Sequence, residues 1–178
     1  MENHVLVIGG QRSGKSRFAE ELVVKSGRRP VYIATATAGD DEMAARIDMH
    51  RQRRGSGWTT LEAPLDLPAT LGDTATADAV VLVDCLTLWL SNLMAAERDV
   101  GGETDALVAA LTAAAGPVVV VTNEVGAGII PDNPLARIYA DALGTLNQRV
   151  AAAVGRVVFM AAGQPLVIKP SSTPEISL

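Results

Sequence analysis

The sequence predicts a three-layer α/β fold in which a mostly parallel sheet is flanked by helices. Short runs of β-branched residues alternate with longer stretches whose apolar residues recur at helical spacing, a pattern typical of parallel sheets. The first of these runs, residues 4–8, is apolar without alternation, as expected for a strand buried on both faces. Hydrophobic residues make up 48% of the 178 positions, which is enough for one sizeable core. We therefore expect a single domain over residues 1–169 and a frayed tail over 170–178.

Glycine, proline and charge indicate where the helices begin and end. Residues 15–25 put Phe18, Leu22 and Val23 on one face, and Gly27 supplies a C-terminal stop. Residues 42–54 carry acidic groups in the first turn and arginines in the last, as the helix dipole favours. The other predicted helices cover 65–71, 86–97, 104–115 and 135–154, with loops at 98–102 and 123–134, and the predicted strands cover 4–8, 31–35, 58–62, 79–84, 118–122 and 156–160.

Charge and composition argue against several classes of function. The net charge of −5 disfavours a broad surface for nucleic acid or for an anionic membrane, and an aromatic share of 3% leaves few rings on which bases can stack. The single cysteine, Cys85, cannot form an internal disulfide or a cysteine-based zinc site, which fits a reducing, cytoplasmic compartment. The uncharged stretch 106–123 is broken by Gly116 and Pro117 into a helical half and a strand half, so no membrane insertion is expected.

Residues 9–16 match the phosphate-binding pattern G-x-x-x-x-G-K-[ST] in full, and they lie between the first strand and the first helix. Glycines let backbone N–H groups curl around phosphate oxygens, Lys15 reaches the β- and γ-phosphates, and Ser16 offers its hydroxyl to Mg²⁺. A glycine-rich turn with a surface lysine is the alternative, but it accounts for neither the full pattern nor its context. The sequence therefore predicts a P-loop NTPase-like (RecA-like) fold, with the nucleotide held by Gly9, Gly10, Gln11, Arg12, Ser13, Gly14, Lys15 and Ser16.

An acidic residue, Asp84, closes the apolar strand 79–84, where P-loop proteins keep a second acid for Mg²⁺. Because a helix is predicted to begin at Leu86, the alternative is that Asp84 caps that helix. We favour the metal role, with Ser16 as the other protein ligand. Cys85 is expected to be a small buried filler rather than a nucleophile.

One of the two histidines, His50, lies among arginines at the end of the predicted helix 42–54. Clustered arginines bind phosphate bidentately, and a neutral imidazole nitrogen is a competent nucleophile toward phosphorus. From spacing alone, however, a solvated helix end with a histidine near the C-terminal dipole is the preferred interpretation. His4, at the edge of the first strand, is expected to be structural.

The sequence resembles the family of bifunctional adenosylcobinamide kinases / adenosylcobinamide-phosphate guanylyltransferases of cobalamin biosynthesis. Four blocks carry the resemblance, and they occur in the family's order over most of the chain. They are GGQRSGKS (9–16), YIAT (32–35), DDEMAARI (40–47) with His50 and Arg51, and TNEVGAGIIP (122–131) with Leu135, Arg137, Asp141, Gly144, Asn147, Gln148 and Arg149 downstream.

The resemblance implies two activities. In the first, ATP or GTP phosphorylates the hydroxyl of the aminopropanol arm of adenosylcobinamide. In the second, His50 attacks the α-phosphate of GTP, releases pyrophosphate and holds GMP as a covalent guanylyl-histidine. Adenosylcobinamide phosphate then takes the GMP and becomes adenosylcobinamide-GDP. His50 is assigned by its position after the Ala-Arg-Ile block, against the preference of spacing alone, and both steps require Mg²⁺.

The resemblance also assigns further residues and a subunit arrangement. Lys15 joins His50 as a catalytic residue. Subunits of the family associate as trimers, so we expect a homotrimer, with the apolar stretch 86–96 either at the subunit contact or in an ordinary core helix. The predicted lining of the GTP site comprises Thr35, Ala36, Thr37, Arg51, Gln52, Arg53 and Arg54, with Glu62 and Asp84 as further nucleotide or Mg²⁺ contacts.

Two other functions stay open at this point. A monofunctional P-loop small-molecule kinase would form no covalent nucleotide, and His50 with its arginines would then only clamp a substrate. A nucleotide-switched regulator or RecA-like assembly module would bind no corrinoid, and the low basicity of the chain argues against it.

Overall fold

The computed structural model describes residues 3–37, 52 and 54–171, and over these residues the chain forms one seven-stranded sheet with helices on both faces. The strands are β1 (Val5–Gly9), β2 (Arg29–Ala34), β3 (Thr59–Glu62), β4 (Ala79–Asp84), β5 (Val118–Asn123), β6 (Arg156–Ala161) and β7 (Gln164–Lys169). The helices are α1 (Lys15–Lys25), α2 (Leu67–Thr74), α3 (Leu86–Ala95), α4 (Val100–Ala113) and α5 (Pro134–Ala153).

The strands lie in the order β3-β2-β4-β5-β1-β6-β7, and all neighbouring pairs are parallel except β6 and β7. The carboxyl ends of six strands therefore meet at one edge of the sheet, which is where open α/β sheets bind their ligands. The predicted class, a mostly parallel sheet flanked by helices, is confirmed.

Apolar side chains form one cluster on each face of the sheet, and β4 contributes to both. Val81 and Val83 pack with α2, α3, α4 and α5 on one face, whereas Val80 and Leu82 pack with α1 on the other. Because β4 is buried on both faces, its sequence is an unbroken apolar run rather than an alternating one. The two clusters and the sheet between them are the three layers that the sequence predicts.

The helix α3 contributes large side chains to the core, as one of the two alternatives for the stretch 86–96 predicts. Its large apolar side chains Leu86, Trp89, Leu90 and Leu93 are all fully buried in the core of the same chain. These four side chains therefore belong to the core, whereas Ser91 and Ala95 on the same helix are exposed, and a subunit contact through that exposed part stays a prediction.

The helix α4 begins earlier than predicted, because residues 100–102 are helical, and only Arg98 and Asp99 of the predicted loop 98–102 lie outside the helix. Asp99 caps the helix by accepting a hydrogen bond from the Gly101 amide at 3.0 Å. An aspartate at this position gives a hydrogen-bond partner to an amide that would otherwise lack one. This capping favours the helix even though its first turn contains two glycines.

The antiparallel strand β7 has no counterpart among the predicted strands. It follows β6 through a two-residue turn at Ala162 and Gly163, whose φ angles of 51° and 79° are both positive. Such a turn joins antiparallel strands most readily when its sequence is Asn-Gly, and the Ala-Gly found here gives a weak signal. Lys169, at the end of β7, donates hydrogen bonds from Nζ to the carbonyls of Ala151 and Val154, which stabilises the C-terminal end of α5.

The uncharged stretch 106–123 divides at Gly116 and Pro117 into the end of α4 and the strand β5, as predicted. Within the part of the chain that the structure describes, no helix combines the length and the apolarity needed to span a bilayer.

His4 is buried, and its Nδ1 accepts a hydrogen bond from the Val118 amide at 3.1 Å. Burial also lowers the pKa of His4 below its ordinary value of 6.5, so the neutral ring serves as a structural acceptor.

Candidate active site at the carboxyl edge of the sheet

The glycine-rich segment 9–16 forms a loop between β1 and α1, as the sequence predicts. Gly14, at a φ of 98°, adopts the left-handed conformation that glycine tolerates best and is the N-cap of α1. Lys15 is the first residue of α1, and it is only 7% exposed. Its Nζ donates a hydrogen bond to the Gly10 carbonyl at 2.6 Å, so the ammonium lies over the loop. This is the strand–loop–helix geometry expected of a phosphate site.

The first glycine of the loop, Gly9, has no room for a side chain. A Cβ on Gly9 would lie 2.4 Å from the Met160 carbonyl oxygen of β6 and 2.9 Å from Ser13 Oγ. Gly10, the next residue, has nothing within 4 Å of the corresponding position. The two adjacent glycines therefore differ in the room available to a methyl group.

Replacing Gly9 with alanine is expected to lower the free energy of unfolding by about 1–3 kcal/mol, as overpacking against a fixed backbone does. Gly10→Ala is the matched control, and its unfolding free energy should stay within about 0.5 kcal/mol of the wild type. Urea titration measures both, through the midpoint at constant slope. Equal midpoints for the two variants would show that β6 does not crowd the loop.

The turn between β6 and β7 contacts the phosphate loop and forms a hydrogen bond with it. The Gly163 amide donates to the Ser13 carbonyl at 3.0 Å, and the Cα of Gly163 would lie 3.2 Å from a Cβ on Gly14. The Ser13 hydroxyl is buried and has no hydrogen-bond partner among the described atoms. The sequence offers no signal for this contact, because the turn at Ala162 and Gly163 that precedes β7 lacks a typical hairpin sequence.

Asp84 lies half-buried at the end of β4, and β5 separates β4 from β1, the strand that leads into the phosphate loop. The Tyr32 hydroxyl donates to Asp84 Oδ2 at 3.4 Å. The alternative role of Asp84, capping the next helix, is not observed, because the N-cap of α3 is Cys85 and no side chain caps it. Burial lowers the pKa of Lys15, and the negative charge of Asp84 partly opposes that shift.

Thr35 and Cys85 hold the ends of β2 and β4 together. The Thr35 hydroxyl donates to the Cys85 carbonyl at 2.7 Å and accepts from the Cys85 amide at 2.8 Å. Thr35 is fully buried. Asn92, which the sequence analysis did not single out, donates to the Thr35 carbonyl at 2.8 Å. Burial raises the pKa of the Cys85 thiol to about 11, which keeps it protonated and a poor nucleophile.

Arg54 lies against Tyr32, another residue that the site prediction missed. Its guanidinium lies 3.4 Å from the centre of the Tyr32 ring, and its side chain is only 4% exposed. Its Nη1 lies 4.0 Å from Glu20 Oε1 and has no hydrogen-bond partner within the described part of the chain. Trp58 contacts the same ring edge-on, with the ring centres 6.4 Å apart. Through Tyr32, Arg54 is thus connected to Asp84.

The remaining predicted site residues are divided between this edge and the part of the chain that is not described. Ala36 and Thr37 follow β2, Glu62 ends β3 beside it, and Gln52 is exposed. The predicted helix 42–54 lies outside the described residues apart from 52 and 54, and so do His50, Arg51 and Arg53. Lys15, Ser16, Thr35, Glu62 and Asp84 therefore all lie at the carboxyl edge of the sheet, with Glu62 at the far end of the strand order from the phosphate loop, and Arg54 lies against Tyr32 of β2.

The fold and the phosphate loop define the class of protein as P-loop NTPase-like, of the RecA-like kind. Among solved structures, the chain resembles the RadB recombinase, with a TM-score of 0.54 and 18% identity over 89% of this chain and 74% of that one. It also resembles the flagellar accessory protein FlaH from Methanocaldococcus jannaschii, with a TM-score of 0.52 and 11% identity over 94% and 78% of the two chains. At these identities the likeness concerns the fold alone.

Within that class, residues 5–168 match the family model described as cobinamide kinase / cobinamide phosphate guanyltransferase, and the chain belongs to this family. It is 48% identical over 166 residues to the bifunctional adenosylcobalamin biosynthesis protein CobP of Pseudomonas aeruginosa, covering 92% of this chain and 96% of that protein. It is 40% identical over 180 residues to the bifunctional protein CobU of Escherichia coli, covering 93% and 99% of the two chains. The protein is thus an enzyme of a bifunctional kinase and guanyltransferase family, and its substrates include nucleoside triphosphates.

Proposed function

We propose that the protein phosphorylates adenosylcobinamide with ATP or GTP and then transfers GMP from GTP, through a covalent guanylyl-histidine at His50, to adenosylcobinamide phosphate. The products of the second step are adenosylcobinamide-GDP and pyrophosphate. The observation that carries the proposal is the buried Lys15 on a complete phosphate loop, in a chain of this family.

In the kinase step, the loop amides and Lys15 bind the phosphates of the nucleotide. The hydroxyl of the aminopropanol arm attacks the γ-phosphorus, the bond from that phosphorus to the bridging oxygen breaks, and the nucleoside diphosphate leaves. The loop and Lys15 stabilise the charge that builds up on the transferred group, and this stabilisation is the main source of rate in phosphoryl transfer. The hydroxyl proton passes to solvent or to a nearby carboxylate.

In the guanylyl step, a neutral imidazole nitrogen of His50 attacks the α-phosphorus of GTP, and the bond to the β-phosphate breaks to release pyrophosphate. A phosphate oxygen of adenosylcobinamide phosphate then attacks the same phosphorus and frees the histidine. Arg51, Gln52, Arg53 and Arg54 would line the nucleotide, together with Thr35, Ala36, Thr37 and Glu62. The placement of Arg54 against Tyr32 supports a shared site, since Tyr32 also contacts Asp84.

The residues present fit a magnesium ion. Ser16 and Asp84 offer a hydroxyl and a carboxylate, and Mg²⁺ is commonly held by one or two such oxygens together with substrate phosphates. When bound, the ion neutralises charge on the transferred phosphates.

We further propose that the enzyme is cytoplasmic and homotrimeric.

A product assay tests the proposal. Purified protein is incubated with adenosylcobinamide, Mg²⁺ and either ATP or GTP, and the corrinoids are identified by mass spectrometry. We expect adenosylcobinamide phosphate in the first step and adenosylcobinamide-GDP when GTP is present. If adenosylcobinamide phosphate forms without adenosylcobinamide-GDP, the monofunctional kinase is the remaining function. If neither product forms, the proposal is overturned.

The variants Asp84→Asn and Asp78→Asn are matched, because Asp84 is the last residue of β4 and Asp78 immediately precedes its first. Asp84→Asn removes the proposed metal ligand and is expected to reduce both products at least about tenfold, because a neutral amide binds Mg²⁺ poorly. Asp78 is exposed, forms a surface ion pair with Arg29, and lies at the edge remote from the loop, so Asp78→Asn should leave both products unchanged. Equal loss in the two variants would count against the metal role of Asp84.

A further inference from the structure

A cavity of about 700 Å³ opens beside the candidate active site, between α3, α5 and the loop that joins β5 to α5. Its walls are mostly apolar, with Met94 from α3, Val125 from the loop, and Leu135, Ala136 and Tyr139 from α5. Binding sites for small molecules have volumes of roughly 300–1,000 Å³ and largely apolar walls. The cavity has the size and the lining of such a site, and the phosphate chemistry described above does not use it.

Hydrogen bonds connect the wall of the cavity to the phosphate loop. The Tyr139 hydroxyl donates to the Thr87 carbonyl at 2.8 Å, and the Thr87 hydroxyl accepts from the Asn123 amide at 3.0 Å. Asn123 pairs with Gly9, the first glycine of the loop, and the Glu124 amide donates to the Gly9 carbonyl at 3.1 Å. A ligand in the cavity would therefore lie next to the carboxyl edge where the phosphoryl group is transferred.

The apolar wall is more exposed than the fold requires. Val125 is 43% exposed and Leu135 is 64% exposed, and neither belongs to the core clusters. Continuous exposed apolar surface of this kind usually marks a binding site. Polar groups lie among these side chains: Ser91 contributes a hydroxyl, and Asn133 contributes an amide whose oxygen caps α5 while its N–H groups remain donors.

We propose that this cavity binds the corrin macrocycle of the cobinamide substrate, and the proposal rests on the proposed function. A corrin ring carries methyl groups and amide side chains on one large framework. The methyl groups would pack on the apolar walls, and the amides would bind Ser91 and Asn133. The aminopropanol arm would then extend past Thr87 and Asn123 toward the loop, which places its hydroxyl on the side of the γ-phosphate.

Filling the cavity is the direct test. In Ala136→Trp, an indole projects into the space, and the Kd for cobinamide, measured by ultrafiltration and corrinoid absorbance, should rise about tenfold or more because overpacking opposes binding. The Kd for GTP, measured in the same preparation, should not change. Ala152→Trp makes the same substitution at an exposed position near the other end of α5, and should bind cobinamide as the wild type does.

A second variant guards against misfolding in the first. Leu135→Asp changes an exposed side chain, so the core is kept, and a carboxylate on the apolar wall should also raise the Kd for cobinamide about tenfold. If the wild type binds cobinamide and both variants bind it equally well, the cavity proposal is overturned and the proposed function stands. If both variants lower the native mass of the particle and keep cobinamide binding, the wall belongs to a contact between copies of the chain, and the proposal is overturned. If the wild type binds no cobinamide, the proposed function fails, and this proposal fails with it.

Discussion

Replacing Lys15 with methionine is expected to lower kcat for cobinamide phosphorylation by about 100- to 1,000-fold, the effect of removing one donor to a developing negative charge. Lys15 is buried on the loop, its Nζ lies 2.6 Å from the Gly10 carbonyl, and Asp84 interacts with its charge. Methionine keeps the apolar stem of the side chain and removes the ammonium. The loss should therefore appear in kcat more than in stability. Steady-state kinetics with adenosylcobinamide and ATP or GTP measure it.

Arg17→Met is the matched control for Lys15→Met. Arg17 is a cation on the same helix, two residues further on, and its side chain is 78% exposed and paired only on the surface with Glu21. A surface pair of this kind contributes little to stability, and its loss should leave kcat within about twofold of the wild type. If Lys15→Met retained wild-type kcat, the loop would not be the phosphoryl-transfer site. If both variants lost activity equally, general charge rather than position would be responsible.

The parts of the site that sequence predicts well are those whose chemistry is local. The phosphate loop is encoded within eight consecutive residues, and its conformation follows from Gly9, Gly14 and the helix that begins at Lys15. The position of Asp84 is predictable for a related reason, because P-loop proteins keep a second acid for Mg²⁺ at the end of an apolar strand, and the strand 79–84 is recognisable from its own residues. Both elements are found where the sequence puts them.

The parts that sequence missed depend on contacts between distant segments. Tyr32 reads as an ordinary strand residue, and only the fold brings its ring against Arg54 and its hydroxyl to Asp84. The turn at Ala162 and Gly163 lacks the usual Asn-Gly sequence. The sequence therefore predicts neither β7 nor the hydrogen bond from this turn to the phosphate loop. The cavity that we propose for the corrin ring is formed by a loop and two helix faces, and no periodic pattern in the sequence predicts such a shape.

The second large effect concerns His50, which is expected to be indispensable for enzyme-bound GMP. A covalent intermediate needs a nucleophile on the chain, and of the two histidines His4 is buried, with Nδ1 accepting from the Val118 amide. His50→Ala should therefore abolish covalent guanylylation while the kinase step continues. His4→Asn is the control, because its side-chain oxygen can accept the same hydrogen bond, and it should be guanylylated as the wild type is.

The most direct test of the account is to incubate each protein with Mg²⁺ and GTP labelled at the α-phosphate, denature it, and measure the label that stays on the chain. The account predicts acid-labile, base-stable label on the wild type and on His4→Asn, and none on His50→Ala. An absence of label on folded wild-type protein that binds GTP, or full labelling of His50→Ala, would contradict it.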